Sequence, residues 1–390
     1  MRAEQQLRTF LKVLESFPAD RPLNKFLPDF FKRNKQMGSN DRRSASRLIY
    51  NYHRLGKAVP SKSIEQRLFL AEFLCTRVDN PFLNHFRPDL NDKILWTLEA
   101  KINYASMNEG LILSDVFPYY NHLSQEVDLS AFLQSFFIQP DLFIRVYPPA
   151  LSRVLKILEE SGVDYHPIGE YTLALPNGTN LNTIFPDYNF PLKLFEVQDL
   201  SSQQTARFFK PSPYEYWWDA CAASGGKSLL LFSEQPDIKL LVSDIRESVL
   251  NNLDERFIAA GLRTYQKKVI DLTMNPDPEI HDYEFDGIIL DAPCTGSGTW
   301  GRTPEMICQF EEFKIKSFQN LQLLIAANVI KYLKPGKPLI YITCSVFKEE
   351  NEEIVSLLQK IHGMQLDGYD LIKGYQNKAD TMFVARLLKN

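Results

Sequence analysis

Beyond about residue 197 the sequence predicts an α/β fold, a doubly wound and mostly parallel sheet covered by helices on both faces. Two observations carry that prediction. Strand-like runs alternate with helical stretches: Tyr214–Ala220 (YEYWWDA), Lys239–Asp244 (KLLVSD), Lys267–Asp271 (KKVID), Phe285–Ala292 (FDGIILDA) and Pro338–Ser345 (PLIYITCS), with two further candidates near the C-terminus, the second being Met382–Leu388 (MFVARLL). Alternation of strand and helix at this spacing predicts a parallel sheet covered on both faces. Three of the strands close on an acid, Asp244, Asp271 and Asp291, and in open α/β sheets ligands sit outside the carboxyl ends of the strands.

The region before this sheet reads differently. Residues 1–130 are predicted as a helical domain and residues 131–196 as a small α+β lead-in module, with the α/β domain at 197–390. In the first helix Leu7, Phe10, Leu11, Leu14 and Phe17 form an apolar stripe. The turn Gly38-Ser39-Asn40 opens a second helix running to about Arg54. At ~100° per residue its Ala45, Leu48, Ile49 and Tyr52 share one face, while Arg43, Arg47, Tyr50 and Arg54 share the other. Such a face, with Lys32, Arg33 and Lys35 just upstream, is suited to phosphate contact and base stacking; the bland alternative is an ordinary solvated face. In the lead-in module, Leu142–Pro148 reads as a strand, LSRVLKILEESG as a helix ending at Gly162, and YTLALPNG as a strand closed by an Asn-Gly turn.

Composition narrows the function classes. A chain of 390 residues, 44% hydrophobic and 24% charged, is neither disordered nor fibrous. No uncharged apolar run approaches the roughly 18 residues of a membrane-spanning helix, and the charged start MRAEQQLRTFLKVLESF has no apolar signal core. The expectation is a cytoplasmic, monomeric protein without a membrane partner. Five scattered cysteines without a CxxC pair argue against a disulfide framework and against a metal site. The net charge of −4 hides an asymmetry: residues 1–60 carry 13 Lys+Arg and 5 Asp+Glu, a net of +8 that leaves −12 elsewhere. A basic end on an acidic chain suggests a localised polyanion-binding surface.

Chemistry concentrates at four strand ends. The first strand runs into DACAASGGKS (Asp219–Ser228), whose small residues and Gly-Gly pair let backbone amides approach a ligand. This is no Walker A loop, because Cys221 stands where its first glycine belongs. GSGTWG (Gly296–Gly301) spells a dinucleotide fingerprint but follows the fourth strand instead of the first, so the match is read as accidental. Asp244, ending the second strand, is placed to accept both ribose hydroxyls of an adenosine. That pairing fits NAD, FAD or S-adenosylmethionine without choosing among them. Finally, ILDAPCTGSG (Ile289–Gly298) and YITCSVFKEENEEIV (Tyr341–Val355) each put a cysteine just past the carboxyl edge of neighbouring strands, so Cys294 and Cys344 should meet in one cleft beside Asp291. Cys75 and Cys308 read as structural.

DACAASGGK, DAPCTGSGTW and YITCSVFKEENE together resemble the motifs of the RsmB/Nop/Sun family of S-adenosylmethionine-dependent RNA cytosine-5 methyltransferases. VQDLSSQ (Val197–Gln203), LFIRVYPP and GSNDRR extend the likeness over nearly the whole chain, toward the bacterial RsmB branch with its NusB-like N-terminal domain. The sequence departs from the family pattern at Ser224, Thr295 and Lys337, where Pro, Ser and Gly are usual. The resemblance implies a class I methyltransferase fold with a seven-stranded sheet. It implies Cys344 as the covalent nucleophile, Asp291 as the group that binds the cytosine and relays a proton, and Cys294 as the residue that assists release. It implies that S-adenosylmethionine lies along Cys221, Ala222, Ala223, Ser224, Gly225, Gly226 and Lys227, with Asp244 on the ribose, Asp271 beside the adenine and Asp291 at its edge. Lys227 would hold Asp291 or depress a thiol pKa, or else be a solvated lysine. Cys221 itself is expected to be a packing residue. Arg43, Arg47, Arg54 and Arg302 are the expected RNA contacts, and small-subunit ribosomal RNA is the expected partner. The competing readings are the same chemistry on transfer RNA or DNA, a non-catalytic ribosome-assembly factor, and, more distantly, a nicotinamide dehydrogenase.

Overall fold

A computed structural model of the chain describes residues 2–186 and 193–390, which form two compact units. One comprises Met1–Leu123, Asp128–Gln139 and Thr299–Glu312; the other comprises Ser124–Val127, Pro140–Gly298 and Phe313–Asn390.

The first unit is helical. The helices Arg2–Ser16, Ser39–Arg54 and Ile64–Cys75 pack on one another through Phe10, Val13, Ala45, Leu48, Ile49, Leu68 and Phe73, the buried members of their apolar stripes. Ser63 starts the third of these with a reciprocal capping box to Gln66. Further along, Phe117 meets Phe132, Phe136 and Trp300 in a ring cluster with centroid separations of 5.2, 5.8 and 5.6 Å. Trp300 and Phe310, 4.9 Å apart, arrive from the distant Thr299–Glu312 segment. Polar ties secure that segment: Glu305 accepts from the Leu23 amide at 2.9 Å, and the Phe310 carbonyl accepts from the Tyr119 hydroxyl at 2.7 Å.

Two expectations change here. The helical unit does not end at residue 130. The helix Leu129–Ser135 belongs to it, and the unit runs on to Gln139 and resumes at Thr299. The reason lies partly in Arg54, which was expected on the solvated face with Arg43. Arg54 is instead buried, donating to the Phe136 carbonyl at 2.7 Å and to Gln139 Oε1 at 2.8 Å. It sits at the helix C-terminal end, where a cation is favoured and the packing against the 128–139 segment outweighs the face pattern. Arg54 is therefore a structural group and no RNA contact.

The second unit contains two sheets. In the smaller, β1 (Leu142–Val146), β2 (His166–Pro167), β3 (Thr172–Leu175) and β4 (Phe195–Val197) pair antiparallel in the order β2-β3-β1-β4, and the helix Leu151–Glu160 covers them with Val154 and Leu158. The larger holds β5 (Tyr216–Asp219), β6 (Lys239–Asp244), β7 (Gln266–Val269), β8 (Gly287–Asp291), β9 (Pro338–Thr343), β10 (Gln365–Ile372) and β11 (Met382–Leu388) in the order β10-β11-β9-β8-β5-β6-β7. Strands β5 to β9 run parallel and the β10–β11 pair is antiparallel. The smaller sheet and the larger belong to one compact unit, so the expected division at residue 196 is not a boundary between units.

Adjacent Trp217 and Trp218 point to opposite faces of the larger sheet and join separate apolar clusters, so each face has its own core. Gly287 in β8 is required by this packing, since a Cβ there would lie 2.6 Å from the Trp217 ring. Strand β7 stops at Val269, short of the expected end at Asp271.

Replacing Arg54 with alanine removes the buried donor to the Phe136 carbonyl and the bond to the exposed Gln139. Urea denaturation of Arg54→Ala is expected to show a loss of about 2–4 kcal/mol, with the RNA affinity of the folded protein unchanged.

Candidate active site

The site is assembled at the carboxyl edge of the parallel strands. After β5 the chain turns through Ala223 and Gly225, both at positive φ, and enters the helix Gly226–Glu234. At Gly225 a Cβ would strike the Phe257 ring at 2.3 Å, so only glycine permits this close approach. Asp244, the last residue of β6, lies alongside. Its Oδ2 accepts from the Ala223 amide at 3.1 Å, and its two oxygens accept from the Arg246 guanidinium at 3.0 and 3.1 Å. Burial works to raise the pKa of Asp244, but these donors outweigh it and hold the carboxyl below its ordinary value.

Asp271 lies two residues beyond β7 and is exposed, accepting from the Thr273 amide at 2.9 Å and hydroxyl at 2.6 Å, which lower its pKa. It remains near Asp244 along the edge, because the Ile270 amide donates to the Asp244 carbonyl at 3.2 Å. Cys221 is half-buried against the apolar cluster, where burial pushes its thiol up, as a packing residue requires. Ser224 is exposed and accepts from Arg256 through both its carbonyl and its hydroxyl.

Lys227 is buried. Its Nζ donates to Asp291 Oδ2 at 3.0 Å and to Ser202 Oγ at 2.8 Å. The alternative of a solvated lysine is excluded by this geometry. Ser202 and Gln198 come from the VQDLSSQ segment, and Gln198 donates to the Gly226 carbonyl at 3.2 Å while accepting from Arg145 at 3.0 Å. The smaller sheet thereby reaches the ion pair through two uncharged side chains. Asp219 stands behind it, wholly buried, accepting from Ser228 at 2.6 Å, with Oδ1 finding no hydrogen-bond partner among the described residues. Burial first, and then the neighbouring Asp291, push its pKa up to about 7.

The two cysteines meet. Cys294 Sγ and Cys344 Sγ are 3.3 Å apart, beyond the ends of adjacent strands β8 and β9. The hydrogen bond to Cys344 raises the Cys294 thiol first, and burial adds to it, so Cys294 holds its proton. The loops carrying the thiols are tied together: the Gly298 amide donates to the Cys344 carbonyl at 2.9 Å, Ser297 lies 3.1 Å from Ser345 Oγ, and the Val346 amide donates to Ser297 Oγ at 3.0 Å. A Cβ on Gly298 would lie 2.0 Å from the Thr381 carbonyl oxygen, so this approach too demands glycine.

Of the expected RNA contacts, Arg43 is exposed and donates to Asn40 on its own helix, whereas Arg47 pairs at 2.8 Å with the buried Glu72. Arg302 is half-buried in the segment that packs with the helical unit. Asp219, Gln198, Ser202 and Glu350 were not singled out as site residues. The first three sit in motifs that carry the family likeness; Glu350, in the string KEENEE, has the look of a solvated helix face.

Residues 206–388 match the family model described as 16S rRNA methyltransferase RsmB/F. The chain is 30% identical over 264 residues to ribosomal RNA small subunit methyltransferase B of Salmonella arizonae and 31% identical over 264 residues to that of Salmonella newport. Each match takes in 64% of this chain and 60% of the relative, so less than two thirds of the relatives' length is spanned. Among solved structures, the protein PH0851 covers 95% of this chain and of itself with a TM-score of 0.69 at 22% identity. NSun6 from Pyrococcus horikoshii with SFG covers 70% of this chain and 97% of itself with a TM-score of 0.59 at 17% identity. These structures share the fold. Residues 206–388 of the chain are thus similar to the RsmB/F methyltransferase family.

Proposed function

We propose that this protein transfers a methyl group from S-adenosylmethionine to C5 of a cytosine in RNA, through a covalent cysteine–C6 adduct, and that its substrate is small-subunit ribosomal RNA. The observation that carries this reading is the pair of thiols 3.3 Å apart at the ends of β8 and β9, beside the Lys227–Asp291 ion pair. A binding module has no use for two thiols in contact at a ligand-binding sheet edge. An enzyme that must both add a sulfur to a pyrimidine and take it off again has a use for each.

The residues present fit the cofactor. The turn from Cys221 to Lys227 offers small side chains and backbone held close by Gly225, and Asp244 presents a carboxylate whose Arg246 contact can be exchanged for ribose hydroxyls. Asp271 is exposed at the neighbouring strand end, on the side suited to an adenine. When bound, S-adenosylmethionine supplies the methyl group; the protein supplies the rest.

C5 of cytosine is a weak carbon nucleophile. Attack of the Cys344 thiolate on C6 forms the S–C6 bond and turns the ring into an enamine nucleophilic at C5. Asp291, oriented by Lys227, hydrogen-bonds N3 and the exocyclic amine and relays the proton that N3 takes up. After methylation C5 carries both a methyl group and a hydrogen. Removal of that hydrogen as a proton restores C5=C6 and expels Cys344, the step assigned to Cys294. RNA is held by the basic N-terminal helix through Arg43, with Arg47 and Arg302 as further cations, and the target base leaves its stack to enter the cleft.

Three outcomes test this function. Mass spectrometry of the protein with ribosomal RNA and S-adenosylmethionine is expected to show a covalent RNA adduct accumulating in Cys294→Ala and neither adduct nor product in Cys344→Ala. The reverse pattern exchanges the two roles, and the absence of any adduct or methylation points to an assembly factor. Asp244→Ala is expected to weaken S-adenosylmethionine binding by at least about tenfold in calorimetry, since it removes charge-assisted hydrogen bonds of about 1.5–3 kcal/mol each. Arg43→Glu is expected to weaken RNA binding evenly across sequences and to flatten the slope of log K against log salt by about one or more. Unchanged affinity and slope would remove the N-terminal helix from the interface.

A further inference from the structure

Arg145 and Glu196 stand directly opposite each other on the antiparallel strands β1 and β4 of the smaller sheet. Cross-strand partners share a face of the sheet, and from that face each of the two reaches the turn that follows β5. Glu196 is buried, and its Oε2 accepts from Arg256 Nη2 at 2.8 Å. The same guanidinium extends its other terminal nitrogen, Nη1, to Ser224, donating to the carbonyl and to Oγ at 2.6 Å each. Arg145 acts on the opposite side of Gly225. Its Nε donates to Gln198 Oε1 at 3.0 Å, and Gln198 Nε2 donates to the Gly226 carbonyl at 3.2 Å. Arg145 Nη1 also donates to Ser233 Oγ at 2.7 Å, on the helix that Gly226 opens. Through one intermediary each, a single cross-strand pair grips the turn on both sides of Gly225.

The turn needs an external hold. Ala223 lies at φ 46°, a left-handed conformation unfavourable to any residue with a Cβ, and Gly225 follows at φ 82°. Side chains from outside the turn oppose its relaxation: Asp244 at the Ala223 amide, Arg256 at Ser224 and Phe257 against Gly225. An arginine suits the middle position because its planar fork serves Ser224 and Glu196 at once, which the point charge of a lysine cannot do. Glu196 is in turn held ionised. Lys193 Nζ lies 2.8 Å from its Oε1, and the Tyr147 hydroxyl donates to the same oxygen at 2.9 Å. Burial works to raise the pKa of Glu196, but Lys193 and Arg256 outweigh it and hold the carboxyl below its ordinary value. Stability alone does not favour this arrangement. Arg145 Nη2 is buried without a hydrogen-bond partner among the described residues, and apolar residues of the same volume commonly stabilise an interior as well as a buried charge cluster does.

We propose that the Arg145–Glu196 pair braces the cofactor turn, with Arg256 and Gln198 as its two positioning residues, so that the smaller sheet sets the affinity for S-adenosylmethionine. The inference rests on the methyl-transfer function proposed above, in which this turn holds the cofactor. A turn fixed before its ligand arrives loses little conformational freedom on binding, and cutting an arm of the brace moves that loss into the binding step. The brace acts on cofactor binding and not on the chemistry, so saturating cofactor overcomes its absence.

The test compares wild type with Arg256→Lys, Gln198→Met and Ser224→Ala by calorimetry with S-adenosylmethionine, steady-state methylation of ribosomal RNA and urea denaturation. Arg256→Lys keeps a positive charge beside Glu196 but cannot also bridge to Ser224. Arg256→Lys and Gln198→Met are each expected to weaken cofactor binding about tenfold and to raise KM for S-adenosylmethionine by the same factor. Their kcat at saturating cofactor and their KM for RNA should stay at the wild-type values. Ser224→Ala removes one hydroxyl from an exposed residue; its expected cost is about threefold in cofactor affinity, read without disturbing the interior. Wild-type cofactor affinity in either folded arm variant overturns the two-sided brace. So does a lower kcat at unchanged KM for S-adenosylmethionine, the mark of a smaller folded fraction and a merely structural role. A wild type that binds no S-adenosylmethionine would instead overturn the underlying function.

Discussion

The parallel register of β8 and β9 is the constraint on which the site depends. With Ile289 opposite Ile340 and Asp291 opposite Ile342, both strands end at the same level, and the loops beyond them start side by side. Side chains alternate faces along a strand, so a slip of one residue would turn every buried side chain of β9 to the wrong core. The register is thus specified by packing on both faces of the sheet, through Ile288 and Leu339 on one and Ile289 and Ile340 on the other. The loops then have little freedom left. Gly298 bonds to the Cys344 carbonyl, Thr381 bonds back to Gly298, and Ser297 bridges to Ser345 and Val346. Two thiols from positions fifty residues apart come within 3.3 Å as a consequence of sheet geometry.

Around those thiols the charges are unevenly matched. Asp219, Asp291 and Glu350 crowd one edge of the sheet, while the buried cation among them is Lys227, committed to Asp291. Like charges in a poorly solvated site push carboxyl pKa values apart. Asp219 yields by holding a proton to about pH 7, and Glu350 is raised as well. Asp291 is paired with Lys227 at 3.0 Å and partly exposed.

Much of this was legible in the sequence, and what was not has physical causes. Strand and helix alternation, the glycine turn after β5, Asp244 at the end of β6 and the convergence of Cys294 with Cys344 all follow from local pattern and from the rule that ligands lie at strand ends. Arg54 was misread because a helical wheel sorts residues by angle and takes no account of what lies beyond the helix end; a carbonyl and an amide from a segment more than eighty residues away decide its burial. Asp271 looked like a strand terminus because its neighbours are β-formers, but its side chain turns back on Thr273 and the ladder ends at Val269. Glu350 was invisible for a related reason. In a run of acids, nothing local distinguishes the one that folds inward from those left in water.

The Thr299–Glu312 segment shows how far the two units share one chain. It leaves the loop that carries Cys294 directly after Gly298, whose approach to Cys344 and Thr381 allows no side chain. Within a few residues it supplies Trp300, among the most deeply buried rings of the helical unit, and then Glu305 and Phe310. The aromatic core around Phe117 is incomplete without it, because Trp300 bridges Phe117 and Phe310. Burying a ring of this size contributes on the order of 3 kcal/mol, a large fraction of the margin by which a domain is stable. The helical unit is therefore not built from the N-terminal residues alone. Its core is closed by Trp300 and Phe310, from a segment that follows the Cys294 loop directly along the chain.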